Sequence, residues 1–304
     1  MRVGLIDVDG HNFPNLALMK ISAYHKAKGD EVSWCVPIMH YDIVYQTKVF
    51  DETYSKDIDY IPNASEIIKG GTGYGLDNHL PEEIEHIYPD YSLYPLLTKD
   101  TAYGFLTRGC PRNCGFCIVS DKEGRGSHKV ADLSEFWNGQ KNIKLLDANI
   151  LASKDSNELL RQLIDSRAYI DFTQGLDIRL TNEENIELIN RMRVKDIHFA
   201  WDNANDDLEP YFGRYKALAT HKPHGAYGVV YCIVNYYEEG NEASIKEQAL
   251  HRIYALRDMG YRPYVMVYDK PNAPRICRYL QRWCNNHKIF RTCPDFENYD
   301  AKRG

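Results

Sequence analysis

The chain has no apolar run approaching the roughly 20 residues needed to cross a bilayer. It also has no basic excess and no low-complexity tract. Its 37 Lys and Arg are outnumbered by 43 Asp and Glu, for a formal net charge of -6. Such a chain is not drawn wholesale to nucleic acid or to an anionic membrane. The opening stretch, MRVGLIDVDGHNFPNLALM, reads as strand, turn and helix rather than as a basic-apolar-small leader. These features predict a cytoplasmic protein with reduced thiols. Missing too are the paired C-x2-C or Cys/His knuckles of a structural zinc module. Of eight cysteines, Cys35, Cys232, Cys277, Cys284 and Cys293 are scattered and read as small core hydrophobes. Cys277 and Cys284 fall seven apart, on one face of an expected helix.

What is present is an alternation of strand and helix. Over the first 75 residues RVGLIDV, EVSWCVPI and YDIVYQTKVF read as strands, DIDYI as extended, and SEIIKGGTGYGL as a strand running into glycines. PNLALMKISAYHKAKG reads as a helix ending at Gly29. This predicts a small open parallel α/β sheet over 1–75 and an irregular connector over 76–101. From 102 to 304 six βα units follow. The first is AYGFLTR with a helix at DLSEFWNG, and the third strand reads YIDFTQGLDIRL, followed by a helix with Thr181 as its cap in TNEE. Six units in about 200 residues predict a partial (βα)6 TIM-like barrel, too short to close as eight.

Parallel α/β architectures place chemistry at the C-terminal ends of strands. There the sequence puts Cys110, Asp147, Asn149, Gln174, Asp177, Arg179, Asp202, Asn203 and Asn235. GFLTRGCPRNCGFCIVSD crowds Cys110, Cys114 and Cys117 into eight residues, with Gly109, Pro111 and Gly115 to curl the backbone. Three thiolates on one loop leave a coordination position open, as a reactive metal centre does. Zinc with His128 as fourth ligand is the competing arrangement.

Cys110-x3-Cys114-x-Phe116-Cys117 after the first of six βα strands resembles the radical S-adenosylmethionine superfamily. The resemblance spans about 200 residues. It implies a [4Fe–4S] cluster on Cys110, Cys114 and Cys117, with Phe116 as the aromatic residue of the motif. The open iron would be chelated by S-adenosylmethionine, whose reductive cleavage yields a 5′-deoxyadenosyl radical. An electron donor such as flavodoxin or ferredoxin is implied as partner. Carried onto this chain, the family pattern makes Asp147 and Asn149, in place of a Gly-Gly-Glu, the expected partners of the methionine ammonium. It assigns Arg179 to the cofactor carboxylate and Asp202 to the ribose. Gly228 and Asn235 stand in the pattern that supports adenine, where a second glycine and a glutamate are replaced. The first 75 residues resemble a shortened, Rossmann-like cobalamin-binding domain, with Asp9 and His11 in an incomplete D-x-H-x-x-G and with Gly70 and Gly71 as the later glycine pair. Many relatives keep that fold without cobalamin. Two further readings stand beside this one: a methyltransferase or methylthiotransferase-type modifier of RNA or protein, and a non-enzymatic zinc-binding module.

Overall fold

The computed structural model describes residues 1–10, 12–238 and 241–301. A continuous buried run from Val3 to Ile6 makes β1 (Arg2–Asp7) a central strand, and α1 (Leu16–Ala27) follows it. Asn15 caps α1, its side chain accepting from Leu18 N–H. The helix buries Leu18, Met19 and Ile21 on the sheet, and Gly29, with φ of 83°, turns the chain away. β2 (Glu31–Trp34), β3 (Tyr41–Thr47) and β4 (Ala64–Gly70) complete a parallel sheet of order β2-β1-β3-β4. The DIDYI segment forms no strand.

The connector carries two one-turn helices, α2 (Glu82–Glu85) and α3 (Pro95–Thr98). It stitches the two sheets together. Asp90 accepts from Ser22 Oγ at 2.6 Å and from Lys26 on α1. Tyr94 donates to Asp7, and Tyr91 donates to the Phe136 carbonyl at 2.6 Å on the other side.

β5 (Thr101–Gly104) leads into the short hairpin β6 (Thr107–Arg108) and β7 (His128–Lys129), with α4 (Val119–Glu123) between them. Then come β8 (Asn142–Leu145), α5 (Ser156–Ser166), β9 (Tyr169–Phe172), α6 (Glu183–Asn190), β10 (Arg193–Ala200) and α7 (Glu209–Leu218). β11 (Val229–Val234), α8 (Glu242–Met259), β12 (Arg262–Val267), α9 (Arg275–Asn285) and α10 (His287–Thr292) close the chain. Six of these strands form one parallel sheet, ordered β5-β8-β9-β10-β11-β12. Each strand lies beside its neighbour in sequence, so all six C-terminal ends lie along one edge.

Three local expectations shift. DLSEFWNG gives only a short 3-10 turn at Leu133–Glu135. The third strand stops at Phe172, because Gly175 (φ 107°) turns the chain and Ile178–Leu180 forms a 3-10 turn capped by Asp177. The cap of α6 is Asn182 rather than Thr181; Asn182 and Asn185 exchange side-chain to backbone hydrogen bonds, while Thr181 Oγ1 donates to the Ile178 carbonyl. Helical spacing does hold on α9, where Cys277, Leu280, Trp283 and Cys284 are buried on one face. No helix among the described residues is long and apolar enough to cross a membrane.

Candidate functional site

The cysteine loop, 109–127, is closed at its base by the antiparallel pairs Thr107↔Lys129 and Arg108↔His128. Gly109 sits at this closure with φ of 84°. A Cβ there would lie 2.2 Å from the Gly126 carbonyl oxygen, so only glycine lets the two arms approach. Glu123 on α4 accepts from the Gly109 N–H and from Arg108 Nη1, both at 3.0 Å. Inside the loop the Cys117 N–H donates to the Cys114 carbonyl at 2.9 Å, and Asn113 takes a left-handed turn.

Asp147 fixes where this loop starts. Its carboxylate, 4% exposed, accepts from the N–H groups of Leu106 and Thr107 and from Thr107 Oγ1 at 2.7 Å. Burial pushes its pKa up to about 6, against the downward pull of those hydrogen bonds. Through these hydrogen bonds the carboxylate anchors the chain just ahead of the cysteines. Strand alternation does not reach Asp147, because β8 ends at Leu145. Asn149 lies beside the first cysteine. Its Nδ2 lies 3.6 Å from Cys110 Sγ, and its Oδ1 is buried with no partner. Thr173 Oγ1, just past the end of β9, is a second buried atom without a partner.

The far side of the loop meets the ends of later strands. Arg112 Nε lies 3.8 Å from Asp177. Arg179, expected at a cofactor carboxylate, is ion-paired instead to Asp177 at 2.7 Å and to Asp206 at 3.2 Å. Asp202 lies near enough to Cys114 and Cys117 to help hold their thiols protonated. Burial is the larger cause at both thiols, and the thiols reinforce one another. The Asp202 carboxyl is itself pushed up to about 6 by burial, while the Ile233 N–H, Arg252 and Arg179 pull it down. Phe116 packs edge-on against Tyr236 at 5.3 Å and Tyr237 at 6.0 Å. Gly115 leaves room for the Tyr236 hydroxyl, which a Cβ would approach to 2.3 Å.

Asn235, in a left-handed conformation at the end of β11, donates to the Tyr268 carbonyl at 3.1 Å. Gly228 does not join it. It precedes β11 at the opposite end of the strand, where the Arg262 N–H donates to its carbonyl. Six residues of strand put roughly 20 Å between the two, and Gly228 serves close packing on Ile197 and Phe199.

The sequence reading missed Arg252. This arginine has no exposed surface. It donates to the carbonyls of Trp201 (2.9 Å) and Ile233 (3.0 Å) and pairs with the buried Glu238. Glu238 in turn accepts from the Tyr236 N–H, so Arg252 holds the loop that brings Tyr236 and Tyr237 to Phe116. The signal was legible: a charge among Ala249, Ile253 and Leu256 on the core face of α8.

Among the described residues no three His, Cys, Asp or Glu side chains are gathered to hold a single metal ion. His128 lies in the hairpin stem, its Nδ1 against the Gly126 carbonyl. A cubane cluster instead spreads its thiolates over separate irons. The three thiols on one glycine-bearing loop, with partnerless Asn149 Oδ1 beside Cys110, fit that group.

At the N-terminal sheet, Asp9 and Gly71 already have partners within the protein. Asp9 accepts from the N–H groups of Val49 and Phe50 at 2.8–3.0 Å. Gly71, with φ of 91°, packs on the Lys48 carbonyl, which a Cβ would approach to 2.4 Å, and Gly70 faces open space. Lys48 itself is fully buried at the strand end, held by Glu52 and the Ser55 carbonyl. His11 lies outside the described residues.

No family model and no curated protein sequence matches the chain. Solved structures do match. The radical S-adenosylmethionine methyltransferase TsrM from Kitasatospora setae, solved with cobalamin and a [4Fe-4S] cluster bound, aligns with a TM-score of 0.60. The alignment covers 88% of this chain and 74% of that one at 10% sequence identity. The likeness is one of fold: this chain has a radical-SAM-like, mixed α/β architecture with parallel sheets.

Proposed function

We propose that the chain is a radical S-adenosylmethionine enzyme built on a partial (βα)6 barrel. Cys110, Cys114 and Cys117 hold a [4Fe–4S] cluster, reduced by a donor of the flavodoxin or ferredoxin class. The observation that carries this reading is the closed three-cysteine loop beside the buried, partnerless Asn149 Oδ1 at the C-terminal end of a parallel sheet. When bound, the cluster supplies the electron that splits the sulfonium of S-adenosylmethionine into methionine and a 5′-deoxyadenosyl radical.

The chain's own residues do the rest. Asp147 and Glu123 fix the two ends of the loop that presents the thiols. Asn149 Oδ1 accepts a hydrogen bond from the methionine ammonium, the role first expected of Asp147, with Thr173 Oγ1 available beside it. Phe116, Tyr236 and Tyr237 wall the loop and exclude water from the reacting centre. Asp202 faces the ribose hydroxyls; Arg179 only orients Asp177 and Asp206.

Anaerobic reconstitution tests the proposal. The expected outcome is a brown protein with about four irons per chain, for a single [4Fe–4S] centre, that releases 5′-deoxyadenosine from S-adenosylmethionine under dithionite. A colourless protein carrying one zinc per chain would overturn it.

A further inference from the structure

The end of the six-stranded sheet away from the cysteines carries a cleft of its own. β8, β9 and β10 begin there side by side: Tyr169 pairs with Asn142 on one side and Arg193 on the other. Lys141, one residue before Asn142, accepts the Tyr169 N–H on its carbonyl at 2.9 Å. The Lys141 ammonium and the Arg193 guanidinium lie 6.0 and 5.7 Å from the Tyr169 ring centroid. With Trp137, Ser166 and Arg167 these residues line a cleft of about 480 Å³.

Its charge is uncompensated. The acids on β9 and β10 are engaged elsewhere: Asp171 with Lys144 at 3.3 Å and Asp196 with His224 at 3.4 Å. Asp165, two residues before Arg167, makes no ion pair with the cleft. Among the described residues, Lys141, Arg167 and Arg193 have no carboxylate partner, although the chain as a whole is acidic. Arg167 also ends α5 in a left-handed conformation, φ 55°, where glycine would be less strained. A strained position is thus filled by a guanidinium that points no charge at the protein's own acids. The Trp137 indole N–H is satisfied by the Gln140 carbonyl at 2.8 Å, which leaves its ring as an apolar wall.

We propose that this cleft binds the polyphosphate chain of a nucleotide, at a site separate from the cysteine loop. Guanidinium groups match phosphate oxygens bidentately, and lysine adds a point charge. Trp137 and Tyr169 offer aromatic surface to the base. The volume is that of a small-molecule site, and the acidic remainder of the chain disfavours an extended polyanion.

Calorimetry on the full chain, with ATP, inorganic tripolyphosphate and adenosine as probes, tests this. ATP and tripolyphosphate should bind, more weakly as KCl is raised, and adenosine should not. Arg167→Gln with Arg193→Gln should weaken both by about tenfold or more. Cys114→Ala should leave them unchanged, which separates this site from the one proposed for S-adenosylmethionine. Both arginines are exposed, so the fold should survive; if the double variant melts early, Lys141→Gln gives the same reading. Three results would each overturn the proposal: no heat from ATP or tripolyphosphate at millimolar concentration, equal affinity in the variants, or adenosine binding as tightly as ATP. Capture of single-stranded RNA without tripolyphosphate binding would likewise sink the small-ligand assignment.

Discussion

Two parallel sheets in this chain end in polar loops, and they treat those loops differently. At the C-terminal edge of the N-terminal sheet the protein satisfies its own groups. Asp9 is taken by the amides of Val49 and Phe50, and Lys48 by Glu52, the Ser55 carbonyl and the Tyr74 ring at 5.2 Å. Burial pushes the Asp57 carboxyl up, yet Lys69, Tyr74 and the Ile58 N–H together pull it down to about 2. At the corresponding edge of the six-stranded sheet, Asn149 Oδ1 and Thr173 Oγ1 are buried and have no partner. Leaving a buried polar atom unpaired costs about 1–3 kcal/mol. The two edges thus differ in how far the protein satisfies its own buried polar groups.

The largest effect expected from this contrast is all-or-none. Replacing Cys114 by Ala should abolish nearly all iron retained after anaerobic reconstitution, while Asp9→Asn should leave the iron content unchanged. Iron analysis decides: full iron in the Cys114 variant, or its loss in the Asp9 variant, would dissolve the distinction between the two edges.

A second test lies within the N-terminal sheet. Gly71→Ala meets the Lys48 carbonyl at 2.4 Å in a left-handed conformation and should destabilise the fold by about 2 kcal/mol or more. Gly70→Ala meets nothing within 4 Å and should cost less than about 1 kcal/mol. Urea titration reads both. Equal losses would mean that this edge is not packed as described.

These neighbours also show what the sequence could and could not reveal. The six strands followed from alternation, and the cysteine loop from spacing alone, because both are local patterns. The hydrogen bonds that Asp147 accepts from Leu106 and Thr107 were not legible, since β8 ends at Leu145 and periodicity stops with it. Gly228 stands at the start of its strand as the pattern read it, but the close approach of Ile197 and Phe199 to it comes from packing. Arg252, Glu238 and Tyr236 reach the site from α8 and the end of β11, more than a hundred residues from the cysteines. Only packing brings them there.

A third comparison uses pH. The Asp147 carboxyl is pushed up to about 6 by burial, against about 3.9 in an unfolded chain. Below pH 4 both states are protonated. Between about 4 and 6 the unfolded state ionises first, so the stability Asp147 contributes is lost as pH rises through its folded value. The loss is about 1–3 kcal/mol. Asp147→Asn keeps an oxygen to accept from Leu106 and Thr107 and has nothing to ionise. Relative to wild type, this variant should gain stability between pH 4.5 and 7 in urea titrations. A constant difference across that range would show that Asp147 is not held in a poorly solvated site.

The smallest effect separates two residues only two positions apart. Asp147 and Asn149 both follow β8, and both were expected at the methionine ammonium. Asp147 Oδ1 already accepts from Thr107 N–H, Thr107 Oγ1 and Leu106 N–H. Those donors hold the chain ahead of Cys110, and Oδ2 accepts from Leu106 N–H at 3.2 Å. Asn149 Oδ1 has no donor to displace, so a hydrogen bond from the ammonium there adds to the protein's own set. One such charge-assisted bond contributes about 1.5 kcal/mol or somewhat more, or roughly tenfold in affinity. Asn149→Ala should therefore weaken S-adenosylmethionine binding about tenfold in anaerobic calorimetry while retaining iron, and Asp147→Asn should change it by less than about twofold. The reverse ranking would return the ammonium to Asp147 and make the open acceptor of Asn149 a feature of packing alone.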